Sequence, residues 1–149
     1  PAFAGLAAPW WNSKATASIT GMTLSSCREH VVRALLEGIA AQVAVLTQLV
    51  AADLGAPMTR LRVDGGLTRS STLMQAQADL AQMPVDVYPS THATPLGAAA
   101  CARLALSPGL TPEQAVGNWE PHRTYVPQWS PDQAEEFLAL WHQAAAAHG

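Results

Sequence analysis

Between Leu61 and Asp79 the chain reads LRVDGGLTRSSTLMQAQAD, and four polar or backbone-exposing residues cluster at one turn: Asp64, Gly65, Gly66 and Ser70. Leu61 and Val63 alternate with Arg62 and Asp64, the period of a strand with one better-buried face, and the paired glycines then strip the turn of side chains. A ligand can lie directly against such a backbone. Ser70 and Ser71 are candidate N-caps for a helix with Leu73, Met74, Gln77 and Leu80 at helical spacing. Free amides at that helix start favour an anion, a nucleotide foremost. Paired glycines after a strand also serve simply to turn a chain, so the residues alone leave both readings open. Asp64 reads as structural, capping exposed amides at the strand end, and no metal coordination follows from it alone.

Other residues with chemical reach lack partners at useful spacing. Cys27 and Cys101 stand outside any metal-like pattern, in or at the edge of predicted helices, and read as small buried or half-buried thiols. His30, His122, His142 and His148 lack the paired spacing of a zinc site, and His92 reads as a loop residue ahead of a helix. A net charge of -3, with eight basic residues spread along 149, argues against nucleic acid or an anionic membrane as partner. The 49% hydrophobic content suffices for one core, while 13% charged residues is low for a free surface and implies a normally covered face. Neither a secretory leader nor a disulfide framework is visible, so a cytoplasmic location is expected.

The elements that must hold the turn can be read in order. An irregular opening through Pro9-Trp10-Trp11 leads to a strand predicted around Ser18 to Thr23. A long helix follows, started by a capping box of Ser26 and Glu29 and closed by Gly55 and Pro57. Val32, Leu35, Leu36, Ile39, Val43, Leu46 and Val50 form its predicted core stripe; Arg33, Glu37, Gln42 and Gln48 interrupt it, which favours a packed helix over a membrane span. After the Leu61 strand come a helix to about Gln82, a strand from Val85 to Tyr88, and a helix capped by Thr94 with Pro95 in its first turn. Gly97 and its alanine neighbours predict close approach to other elements. Thr111-Pro112-Glu113 and Ser130-Pro131-Asp132 repeat a cap-then-proline start, the second leading a terminal helix with Ala134, Phe137, Leu138, Trp141 and Ala145 on one face. Strands separated by helices predict an α/β fold with a mixed, partly parallel sheet flanked by helices.

LRVDGG followed by LMQAQADL resembles the C-terminal half of FGGY-family carbohydrate kinases, glycerol kinases above all. ASITGMTLSSCREHVVRALLE, from Ala17 to Glu37, resembles the family's C-terminal signature; Thr94-Pro95-Leu96-Gly97-Ala98-Ala99 resembles its threonine-x-leucine-glycine-alanine-alanine helix. PAFAGLAAPWW, from Pro1 to Trp11, is similar to the family's proline- and aromatic-rich approach to the same domain, and the likeness thins after about Pro108. The resemblance implies a partial actin-like, ribonuclease-H-like ATPase domain over residues 1–149. The N-terminal domain that binds most of the acceptor, the general-base aspartate and the hairpin for the nucleotide phosphates would lie outside this chain, so no catalytic residue is assigned. Gly65 and Gly66 would contact the adenosine part of ATP. Ser70 stands where glycerol kinases carry an asparagine on the adenine side, and its hydroxyl would bond either the nucleotide or, as an N-cap, the helix.

Several residues depart from the family pattern. Asn12, Thr16 and Ala17 replace an aspartate, an arginine and a glycine, and His92 replaces a glutamate. Loss of the carboxylate and guanidinium together suggests that one ion pair was dropped as a unit. The expected parent is a kinase transferring the γ-phosphoryl group of ATP, with Mg2+ carried by the nucleotide, to a sugar or polyol hydroxyl, glycerol leading. A homo-oligomer is expected. The alternative is a degenerate, non-catalytic module for weak nucleotide binding or subunit association, to which exposed apolar surface would contribute. Another actin-like ATPase, a chaperone or filament protein, fits the LMQAQADL string and the Ala17 to Glu37 signature less well.

Overall fold

Small residues decide how the two central helices meet. The computed structural model describes residues 2–146. Helix α1 (Arg28–Leu54) lies against α2 (Ser71–Ala81), and Ala40, Ala41 and Ala44 are fully buried between α1 and the rest of the core. From α2, Leu73, Met74 and Leu80 point into the same cluster, each burial contributing about 1.5–3 kcal/mol. The predicted stripe of large residues on α1 is corrected here: Val32, Leu35, Leu46 and Val50 are at least 40% exposed, and Leu36 and Ile39 only flank the core. Alanines at the contact let two helix backbones approach more closely than leucines permit, so the narrow small-residue face won over the wider apolar one.

Three strands form the sheet, in the order β1 (Leu61–Val63), β2 (Val85–Val87), β3 (Arg123–Tyr125). β1 and β2 run parallel with Arg62 opposite Asp86, and β3 runs antiparallel with Thr124 opposite Asp86, so the mixed sheet expected from the alternation is present. β3 is an addition to the sequence reading, because three residues with two exposed give too short an alternation to detect. The remaining elements are α3 (Ala93–Leu106), the single turn α4 (Pro112–Val116) and α5 (Pro131–Ala146). α5 presents Ala134 and Leu138 to the core, with Phe137 and Trp141 packed alongside, as its spacing predicts. Trp141 meets Trp10 edge to face at 5.5 Å, which ties the opening segment to α5.

Some expected starts and strands move. Ser18 to Thr23 carries no regular structure and finds no strand partner among the described residues; Ile19 and Met22 stay exposed. Cys27, not Ser26, caps α1, its N–H donating to His30 Nδ1 at 3.1 Å, while the Ser26 hydroxyl accepts from the Thr23 N–H. α3 starts at Ala93 with His92 at the cap, which leaves Thr94 inside the first turn. Gly97 meets nothing within 4 Å of where a Cβ would stand, so the close approach predicted for α3 is absent among the described residues. Both thiols are exposed, against the expectation of buried or half-buried ones. Gly55 (φ 63°), Thr111 and Ser130 occupy the cap positions their sequence signals predict. By length and composition α1 could cross a membrane. Its alanine face is nevertheless spent on α2.

On the sheet face opposite this core, the Asp86 carboxylate is buried between the Arg60 guanidinium at 2.5 Å and the Thr124 hydroxyl at 2.7 Å. Burial pushes its pKa up, but the hydrogen bonds from Arg60 and Thr124 and the charges of Arg60 and Arg62 outweigh it, holding the carboxyl below its ordinary value of 3.8. A lowered folded-state pKa contributes stability that is complete above the unfolded value and is lost as pH falls through the folded one. Thermal melts across pH should therefore show an acid limb beginning below about pH 4, and Asp86→Asn should make that limb shallower. At the helix contact, Ala44→Leu should overpack the α1–α2 seam and cost about 1–3 kcal/mol in urea denaturation.

Candidate functional site

The parallel pairing brings the carboxyl ends of β1 and β2 to one edge of the sheet, and the Tyr88 N–H bonds the Val63 carbonyl at 2.9 Å just where both strands stop. Ligands of open α/β sheets bind at such strand ends. There Gly65 takes φ 95° and ψ −178°, a conformation that side-chain-bearing residues avoid, and a 3-10 turn spans Gly66–Arg69. The turn satisfies itself: Thr68 donates to the Gly65 carbonyl from its N–H at 3.2 Å and from its hydroxyl at 2.7 Å. The Ser70 N–H donates to the Leu67 carbonyl at 3.0 Å, and the Ser70 hydroxyl accepts from the Leu73 N–H at 3.3 Å as the N-cap of α2. Its own proton remains available to a ligand.

Asp64 behaves differently from its sequence reading. It is exposed, and no hydrogen bond or ion pair from any described residue reaches it, so Thr68 holds the turn in its place. A Cβ added at Gly65 would meet nothing within 4 Å, and one at Gly66 only the Arg69 guanidinium at 3.8 Å. The backbone of both glycines is therefore open to a ligand. Among the described residues no group of three His, Cys, Asp or Glu is placed to hold a metal ion, and His148 lies outside those residues.

The LMQAQAD string carries a role that its spacing hid. Asp79, 4% exposed, accepts at Oδ1 from Gln75 Nε2 at 2.9 Å and from the backbone N–H groups of Gln128 at 2.6 Å and Trp129 at 3.3 Å. Gln75 Nε2 also reaches the Val126 carbonyl, and Gln82 Nε2 the Trp129 carbonyl at 3.2 Å. These side chains clasp the segment between β3 and α5 onto α2. Gln75 and Asp79 sit one helical turn apart, the signal that could have revealed a shared face. Gln77, on the same helix, buries an Oε1 that finds no hydrogen-bond partner among the described residues. At the departure points, the Asn12 side chain accepts from the Lys14 N–H at 2.9 Å, and Thr16 and Ala17 line an apolar cavity of about 450 Å³ bounded by α1 and α5.

Residues 1–106 match the model of the FGGY family of carbohydrate kinases, C-terminal domain. The chain belongs to that family. It is 43% identical over 144 residues to the glycerol kinase of Bordetella parapertussis, covering 97% of this chain and 28% of that protein. The glycerol kinase of Bacillus cytotoxicus is 35% identical over 147 residues, covering 99% of this chain and 30% of that one. Among solved structures, Plasmodium falciparum glycerol kinase with ADP superposes with a TM-score of 0.86 at 33% identity, over 99% of this chain and 30% of its own. Xylulose kinase from Rhodospirillum rubrum superposes at 0.73 with 29% identity, over 99% and 29%. The chain thus spans less than a third of the length of these relatives. Its mixed sheet and flanking helices are part of the actin-like ATPase fold of FGGY kinases, which corroborates the fold expected from the LRVDGG and Ala17 to Glu37 strings.

Within this FGGY domain Ser70 holds a helix start whatever else it does. Ser70→Ala should lower stability by about 1 kcal/mol in chemical denaturation, and Ser70→Asn, an equally good cap, should not.

Proposed function

We propose that this chain is the C-terminal part of an ATP-dependent carbohydrate kinase and forms the adenosine side of its nucleotide site, with Gly65, Gly66 and Ser70 as contacts. The observation that carries the proposal is the open backbone of the glycine pair at the carboxyl ends of two parallel strands. Membership of the FGGY family, and a glycerol kinase superposing at 0.86 in a structure with ADP, supply the class of ligand. The whole protein would transfer the γ-phosphoryl group of ATP to a sugar or polyol hydroxyl, glycerol leading, with Mg2+ arriving on the nucleotide. Such transfer rests on positioning and charge neutralisation. This chain contributes the first of these. Residues 1–149 would be one partial domain, the acceptor, the base and most phosphate contacts would come from an N-terminal domain, and the isolated chain would be inactive. A cytoplasmic homo-oligomer goes with this reading.

The second reading is a module without catalysis, for weak nucleotide binding or subunit association. It draws on the exposed apolar side chains of α1, notably Val32, Leu46 and Val50.

Gly66→Val tests the nucleotide proposal cleanly, because its φ lies outside the left-handed region and its Cβ would meet only a flexible guanidinium. Titration calorimetry with ADP and Mg2+ should give heat with the wild type and at least about tenfold weaker binding with the folded variant. Equal binding by both would remove the glycine pair from the site.

A further inference from the structure

A second cavity, of about 720 Å³, lies between the first half of α1, α2 and the segment at Gln128 and Trp129; the Gly65–Gly66 turn and Ser70 contribute nothing to its lining. One of its lining groups is the buried Asp79 carboxylate, whose Oδ1 is taken by three neutral donors. Among the described residues no donor reaches Oδ2. Among the described residues no basic group lies within ion-pair distance of Asp79. Buried carboxylates are ordinarily paired with a cation as well as hydrogen-bonded. The cavity's own cations do not fill that role: Arg33 is paired with Glu37 at 2.7 Å, and Arg28 forms no ion pair with Asp79. With Arg28 and Arg33 against Glu29, Glu37 and Asp79, the lining carries one net negative formal charge, and it also includes the apolar Val32, Leu36 and Ala76 and the residue Trp129, whose ring packs on Phe137 at 5.8 Å. A buried carboxylate beside apolar and aromatic lining residues suits an organic cation. The volume is that of a small-molecule site.

We infer that this cavity binds an organic cation, an ammonium or guanidinium on an apolar stem, with Asp79 Oδ2 as its hydrogen-bond acceptor. The site is separate from the glycine turn and does not depend on nucleotide binding.

The test is a titration of the 149-residue chain with agmatine, followed by NMR through the backbone amides of Gln128 and Trp129, with n-butanol as the uncharged stem. Agmatine should shift both amides saturably and n-butanol should not. Asp79→Asn, which keeps an oxygen for the clasp but removes the charge, should weaken binding by at least about tenfold. Ala76→Phe, which fills the cavity without touching the clasp, should abolish it. If Asp79→Asn fails to fold, Ala76→Phe with a wild-type amide spectrum decides: lost binding supports the site and retained binding overturns it. A comparison with N-acetyl-arginine amide separates the sources of the cation. Tighter binding than agmatine assigns the cavity to a basic side chain of a polypeptide, weaker binding to a free amine. Unmoved amides at millimolar agmatine, equal shifts with n-butanol, or variants that bind as the wild type does would overturn the inference.

Discussion

The close approach of α1 to α2 through Ala40, Ala41 and Ala44 is the constraint on which the rest of the structure depends. It fixes α2, and α2 in turn carries the features that give this chain its chemistry. Ser70 caps the helix at the end facing the glycine turn, Leu73, Met74 and Leu80 anchor it in the core, and Gln75 and Asp79 gather the chain after β3. A larger residue at any of the three alanines would displace the helix, and with it the turn. The open backbone at Gly65 and Gly66 is therefore held by packing some distance away.

Two buried carboxylates do unlike work around this frame. Asp86 sits on the far side of the sheet with a guanidinium and a hydroxyl, so its charge is met and its contribution to stability follows pH in an ordinary way. Among the described residues Asp79 is met by neutral donors, which makes it a better clasp for backbone amides than a closed electrostatic unit. That asymmetry separates a purely structural acid from one with an oxygen to spare. It also separates two regions of the molecule, the strand ends beside the glycine turn and the groove along α2.

The apolar residues left outside the core carry their own meaning. Val32, Leu35, Leu46 and Val50 follow the helical period so well that they read as core, yet the structure leaves them half in water. The low charge of the chain had already implied a covered face. Ser18 to Thr23 is a similar case, since a strand needs hydrogen-bonding neighbours and none is present among the described residues. Both concern surfaces of a chain that spans less than a third of its relatives' length.

What the sequence determined by itself was local. The strand at Leu61, the glycine turn, the Ser70 cap, the Gly55 stop and the cap-then-proline starts at Thr111 and Ser130 all follow from backbone preferences and short hydrogen bonds encoded within a few residues. The family was legible for the same reason, because its strings lie on those local elements. Tertiary structure decided which face of α1 is buried, where β3 joins the sheet, that Asp64 stands free, and that Asp79 binds amides some fifty residues away. Each of these depends on which surfaces come together, and the periodicity of one helix or the polarity of one side chain cannot specify its partner.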